Sequence, residues 1–175
     1  MNLKNCRVIV CGPAIGKTYL AEHDGRFFDL DSERAKYKYG LFNATNKELE
    51  SGKLKRGAIV NQDSTEYTIK KLNEALANGK CVLLSFHEKI LKYIDDNQID
   101  YCLVYAGKEL ANEYAERMKQ RENNLDFVNQ MTNANDWNNF YDNNINNTKA
   151  KYKIELKANQ FLSDLVNLFF DIKKE

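Results

Sequence analysis

The chain has 175 residues, 43% hydrophobic and 29% charged, and its 26 Lys+Arg against 25 Asp+Glu leave a net charge of +1. That length suits one core with a small lid rather than two independent domains. The balanced charge supplies no field for a nucleic-acid partner, and no apolar run reaches the roughly 20 residues that cross a bilayer, so neither partner is expected.

Arg7 to Cys11 (RVIVC) is a short apolar run before Gly-Pro, the pattern of a strand buried on both faces. A helix is predicted from Lys17 through TYLAEH, with His23 complementing its C-terminal end, and a second strand over Arg26 to Leu30. The polar stretch up to about Asn61 gives no clear element. Asp63, with Glu66 three residues on, has capping-box spacing for a helix carrying Ile69, Leu72 and Leu76 and ending at Asn78-Gly79. A third strand is predicted over Lys80 to Phe86, a short helix over Glu88 to Asp95 and a fourth strand over Ile99 to Tyr105. Lys108 to Arg121 carries Leu110, Tyr114 and Met118 at fourth positions, a helical stripe. Leu125 to Tyr141 reads as helix broken near Asn133, with Trp137 packing it onto the core. Asn143 to Thr148 reads as a loop, Tyr152 to Leu156 as a fifth strand, and Gln160 to Ile172 as a closing helix. Strands alternating with helices imply a parallel sheet covered on both faces, with ligands beyond the strands' carboxyl ends.

Directly after the first strand stands CGPAIGKT, which ends as the Walker A pattern GxxxxGKS/T does. Backbone N–H groups of Gly12, Pro13's neighbours, Ala14, Ile15 and Gly16 can converge on a phosphate, Lys17 adds a charge, and the Thr18 hydroxyl suits Mg²⁺. Cys11 fills the first glycine slot, where glycine often takes a backbone angle that Cys resists, and the glycine falls at Gly12. Cys6, Cys11, Cys81 and Cys102 form no CxxC pair and no zinc spacing, and read as free thiols in a reduced compartment.

FFDLDSE sets Asp29 and Asp31 two apart, hence on one face of a strand. Either carboxylate could complete a Mg²⁺ site with Thr18, since neither later strand ends in Asp. Asp31 could instead handle a substrate hydroxyl, or with Ser32 cap the next helix. His87 follows the third strand and so lies on the ligand side of the sheet, where Ser85 could also lie. Arg117 and Arg121 lie four apart on one helix face, where they could either neutralise a moving phosphoryl group or pair with Glu113 and Glu116. The basic run Lys53 to Gly57 reads as a solvated stretch.

The runs VIVCGPAIGKTYLAE, FFDLDSE, CVLLSFHE, DYCLVYAGKELANEYAERMKQR, DW and QFLSDLV together resemble the small P-loop nucleotide kinases of phages and low-GC bacteria, related to nucleoside monophosphate kinases. The resemblance covers nearly the whole chain. It implies a three-layer α/β P-loop NTPase fold: about five parallel strands, helices on both faces, an acceptor-binding insertion over about 32–61 and a helical lid over about 108–145. By the same resemblance Gly12 to Thr18 bind ATP, and Lys17, Asp31, Arg117 and Arg121 are catalytic. Asp29, Asp31, Ser32 and His87 fall on the substrate side, with Thr18 and Asp31 at Mg²⁺.

The expected protein is therefore a cytoplasmic ATP- and Mg²⁺-dependent kinase acting on a (deoxy)nucleoside monophosphate, with a small-molecule partner and a homodimer allowed. Two other readings stand beside it: a small-molecule hydroxyl kinase of the shikimate or gluconate type, and a non-catalytic nucleotide-binding regulator.

Overall fold

The computed structural model describes Leu3 and residues 5–30, 64–121 and 125–170. Among these residues, five parallel strands form one sheet in the order β2-β3-β1-β4-β5. They are β1 (Val8–Cys11), β2 (Phe27–Leu30), β3 (Cys81–Leu84), β4 (Tyr101–Ala106) and β5 (Tyr152–Leu156). In register, Val10 faces Leu84 on one side and Leu103 on the other, and Cys11 faces Val104.

The helices are α1 (Lys17–His23), α2 (Ser64–Ala77), α3 (Glu88–Asp96), α4 (Ala111–Gln120), α5 (Leu125–Thr132), α6 (Ala134–Ile145) and α7 (Val166–Phe169). Period-2 alternation divides each central strand between two cores. Ile9, Cys11, Leu83, Cys102 and Val104 pack with Leu20 of α1, Tyr114 and Met118 of α4 and Phe169 of α7. Val8, Val10, Val82, Leu84 and Leu103 pack with Leu72 of α2 and Ile90 and Ile94 of α3. The sheet is thus the middle of three layers, and each fully buried aliphatic side chain stabilises it by about 1.5–3 kcal/mol.

The chain runs from β1 out to the β2 edge, returns through β3, then crosses to β4 and β5. The reversal makes the carboxyl end of β1 the switch point where ligands of such sheets bind. Helix α6 passes near it: Trp137 belongs to the first core, while Phe140 and Tyr141 pack against the second.

Three expectations need correction. The closing segment is not one helix from Gln160. A 3-10 turn covers Leu162–Leu165 and α7 covers only Val166–Phe169, because Asn159 N–H bonds to Glu113 and Leu162 N–H to Ile15 O instead of continuing a helix. The Asn-rich loop starts later than Asn143, since α6 continues to Ile145, with Asn144 buried and its Nδ2–H donating to Phe140 O. Residues 108–110 form a 3-10 turn before α4. The break at Asn133 is observed, and it is a cap: Asn133 Oδ1 accepts from Asp136 N–H at 3.0 Å. Asp63, the run from Lys53 to Gly57 and the 32–61 insertion lie outside the described residues.

Candidate functional site

Gly12 to Gly16 form the turn between β1 and α1. Two residues of this turn take left-handed angles, Ala14 at φ 58° and Gly16 at φ 98°. Alternating left- and right-handed backbone turns successive N–H groups toward a common anion. Cys11, where the strain was expected, ends β1 as ordinary strand, buried and paired with Val104. The turn begins after it, so an extended first slot accepts a side chain. At Gly12 a Cβ would stand 3.3 Å from Phe140 Cζ, so close packing rather than backbone angle favours glycine there. Burial pushes the Cys11 thiol up to about 11, against the opposing pull of Lys17, which makes it an inert thiol.

Lys17 folds over the loop and its Nζ donates to Gly12 O at 2.9 Å. The next residue reaches across to β2: Thr18 Oγ1–H donates to Asp29 Oδ2 at 2.8 Å. Asp29 can be reached because it shares strand parity with Phe27, which packs in the α1-side core. A hydroxyl and a carboxylate side by side at the end of such a loop are hard oxygen donors, the set that suits Mg²⁺. Among the described residues no group of three or more His, Cys, Asp or Glu is arranged to hold a metal ion.

Beside the loop lies a cavity of about 630 Å³. Ala14, Gly16, Thr18, Tyr19 and Glu22 form one wall, Arg117, Gln120 and Arg121 of the α4 end a second, and Phe161 and Ser163 a third. Phe161 is 40% exposed. Arg117 is only 10% exposed; it pairs with Glu113, donates to Gln160 O at 3.1 Å and sits 3.9 Å above the Phe161 ring. Arg121 is the C-cap of α4, its backbone N–H donating to Lys119 O, and its side chain has no ion pair or hydrogen bond among the described residues.

On the other flank of the loop, aromatic rings run from the end of β3 toward α4. Phe86 meets Phe140 edge-on at 5.1 Å, Phe140 lies 6.4 Å from Trp137, and Trp137 lies 5.4 Å from Tyr114. Trp137 Nε1–H donates to Lys108 O at 2.8 Å, which fixes α6 on the core, as expected of this residue. His87 caps α3 in extended conformation, with Nδ1 buried and in no hydrogen bond among the described residues. His23 is in the last turn of α1, its Nδ1–H donating to Tyr19 O at 2.8 Å.

The structure therefore brings Gly12 to Thr18 together with Asp29, and sets Arg117 and Arg121 on the adjacent cavity. His87 stands apart at the end of β3, with no hydrogen bond to the loop. Asp31 and Ser32 lie outside the described residues. Phe161, Tyr19, Gln120, Ser163 and Glu113 were not singled out from sequence. Only Glu113 left a trace, as the partner four residues before Arg117.

These features define a three-layer P-loop fold: parallel sheet, phosphate-type loop after the central strand, and Lys-Thr opening the following helix. Comparison with protein-family models and with curated proteins gives no match. Among solved structures the chain is similar to a gluconokinase from Sinorhizobium meliloti 1021, at 12% identity and a TM-score of 0.46, covering 96% of this chain and 90% of that one. No helix among the described residues is long and apolar enough to cross a membrane.

Proposed function

We propose that the protein is an ATP-dependent phosphotransferase whose acceptor is a (deoxy)nucleoside monophosphate. One observation carries the reading: Lys17 on its loop, with Thr18 joined to Asp29 across the switch point of the sheet. The loop amides and Lys17 bind the phosphate tail of ATP, and Lys17 exchanges the Gly12 carbonyl for phosphate oxygen. The neighbouring cavity offers the aromatic surface of Phe161 for a base and a cationic rim for the phosphate of a nucleotide.

Thr18 and Asp29 would hold Mg²⁺, with Asp31 as the further carboxylate in the sequence of the same segment. Such a cation would supply positive charge that stabilises the charge developing on the phosphoryl group. Lys17 and Arg121 supply positive charge toward the transferring group, and positioning in a water-poor cleft does most of the remaining work. Arg117 belongs to the same wall. Asp31, Ser32 and His87 are the residues proposed to act on the acceptor.

The test is transfer of labelled γ-phosphoryl from ATP with Mg²⁺ to a panel of nucleoside monophosphates, sugar acids and polyols. Labelled nucleoside diphosphate is the expected product. Label on a hydroxyl acceptor alone moves the acceptor class, and no transfer with intact ATP binding leaves a nucleotide-binding regulator.

A further inference from the structure

The guanidinium of Arg117 is already engaged by rings and by polar partners. Its central carbon lies 3.9 Å from the Phe161 centroid and 4.7 Å from that of Tyr114. Nη1–H donates to Gln160 O at 3.1 Å, and Nη2–H donates to Glu113 Oε1. The same Glu113 oxygen accepts Asn159 N–H at 2.9 Å. Asn159 has φ 61°, an uncommon backbone region that needs support from its surroundings. At the other end of this short loop, Leu162 N–H donates to Ile15 O at 3.0 Å. The loop carrying Phe161 is thus fastened to the phosphate loop on one side and, through Glu113, to α4 on the other.

We propose that Glu113 is a positioning residue: through Arg117 and the Asn159 amide it holds the Phe161 ring as the platform on which the base of a bound nucleotide stacks. The inference rests on the nucleotide reading above and names the group that fixes its base site. Glu113 does not line the cavity and acts only through its two donors. A carboxylate suits the place because one oxygen accepts both N–H groups while its charge balances a guanidinium taken out of water. With Arg117 neutralised where it stands, Arg121 is the cation on this rim that answers to a ligand's phosphate.

Calorimetric titration of the full chain with ATP and with inorganic tripolyphosphate tests this in the parent, Glu113→Ala, Glu113→Gln, Phe161→Ala and the Glu113→Ala/Phe161→Ala double variant, each checked for a cooperative melt. Removing the carboxylate is expected to weaken ATP by about tenfold or more while tripolyphosphate stays within about twofold, since only the base loses its stacking surface. Glu113→Gln keeps an acceptor oxygen and recovers most of the affinity. Phe161→Ala reproduces the loss, and the double variant loses no more, because both changes remove one platform. Losses that multiply, tripolyphosphate falling with ATP, or unchanged ATP affinity in Glu113→Ala each overturn the inference. Should Glu113→Ala not fold, unchanged ATP affinity in Phe161→Ala overturns it as well. A parent that binds tripolyphosphate as tightly as ATP removes the base platform but leaves the phosphate loop standing. A parent that binds neither removes the nucleotide reading and this inference with it.

Discussion

The Thr18 hydroxyl donates to Asp29 Oδ2 at 2.8 Å and joins the first turn of α1 to the second strand. This contact sets a hydroxyl and a carboxylate where the phosphate tail of a nucleotide would end. Asp29→Asn keeps the shape and an acceptor oxygen but removes the charge. Phosphoryl transfer is expected to fall about 10–100-fold, the usual effect of disturbing a ligand or its partner, and the Mg²⁺ requirement to rise. Steady-state rates across a magnesium series check it, and unchanged rates and magnesium dependence would remove Asp29 from the site.

The left-handed backbone angles of the loop fall at Gly16, where glycine takes them freely, and at Ala14, where a side chain is strained. Gly16→Ala is expected to destabilise by about 1–2 kcal/mol, because φ 98° disfavours any side chain while Phe161 Cδ1, at 3.6 Å, is only an ordinary contact. Ala14→Gly removes strain at φ 58° but adds freedom to the unfolded chain, so its net effect is expected within about 0.5 kcal/mol of zero. Urea unfolding of both variants measures this. A Gly16→Ala protein as stable as the parent would contradict the loop geometry.

All four cysteines are buried and free. Burial raises Cys6 and Cys11 from the ordinary 9.0 to about 11 and Cys81 to about 12, and Cys102 moves the same way. The unfolded chain therefore releases these protons near pH 9, while the folded chain holds them to about pH 11. The folded state binds more protons in that window, so this stabilisation is complete below about pH 9 and is lost as the pH climbs through about 11. Urea unfolding from pH 7 to 11 is expected to show a flat thiol contribution and then a decline, reduced in slope by Cys11→Ala. At pH 8 a thiol reagent is expected to label the native chain slowly and the unfolded chain at once. Rapid native labelling of Cys11 would contradict its burial.

Trp137 ties α6 to the segment before α4 through its bond to Lys108 O. Trp137→Phe loses that bond and part of the ring packing, and about 1–3 kcal/mol of stability is expected to go with it. Thermal melting reads the effect. An unchanged melt would mean that the aromatic run from Phe86 to Tyr114 is not a structural support.

The strands and the turn that leads from β1 into α1 were legible because their signals are local. RVIVC before Gly-Pro, Gly-Lys-Thr opening a helix and the Asp29 spacing each depend on a few neighbouring residues. The cavity wall was not legible, because Glu113 meets Asn159 only after β5 returns the chain to α4. From sequence the Glu113–Arg117 pair is indistinguishable from any solvated pair four residues apart. Strain at Ala14 rather than Cys11 depends on where the turn leaves the strand, which residue types do not specify. The closing helix was overestimated because its apolar periodicity continues through residues whose amides bond elsewhere, as Leu162 N–H does to Ile15 O.

The central claim is that the loop around Lys17 holds the phosphate tail of ATP. Calorimetric titration of the parent and Lys17→Ala with ATP at millimolar Mg²⁺ tests it most directly. Saturable binding in the parent, weakened roughly tenfold or more in Lys17→Ala by loss of a charge-assisted bond, is the predicted result. Equal affinity in the two proteins, or no heat from the folded parent, would contradict it.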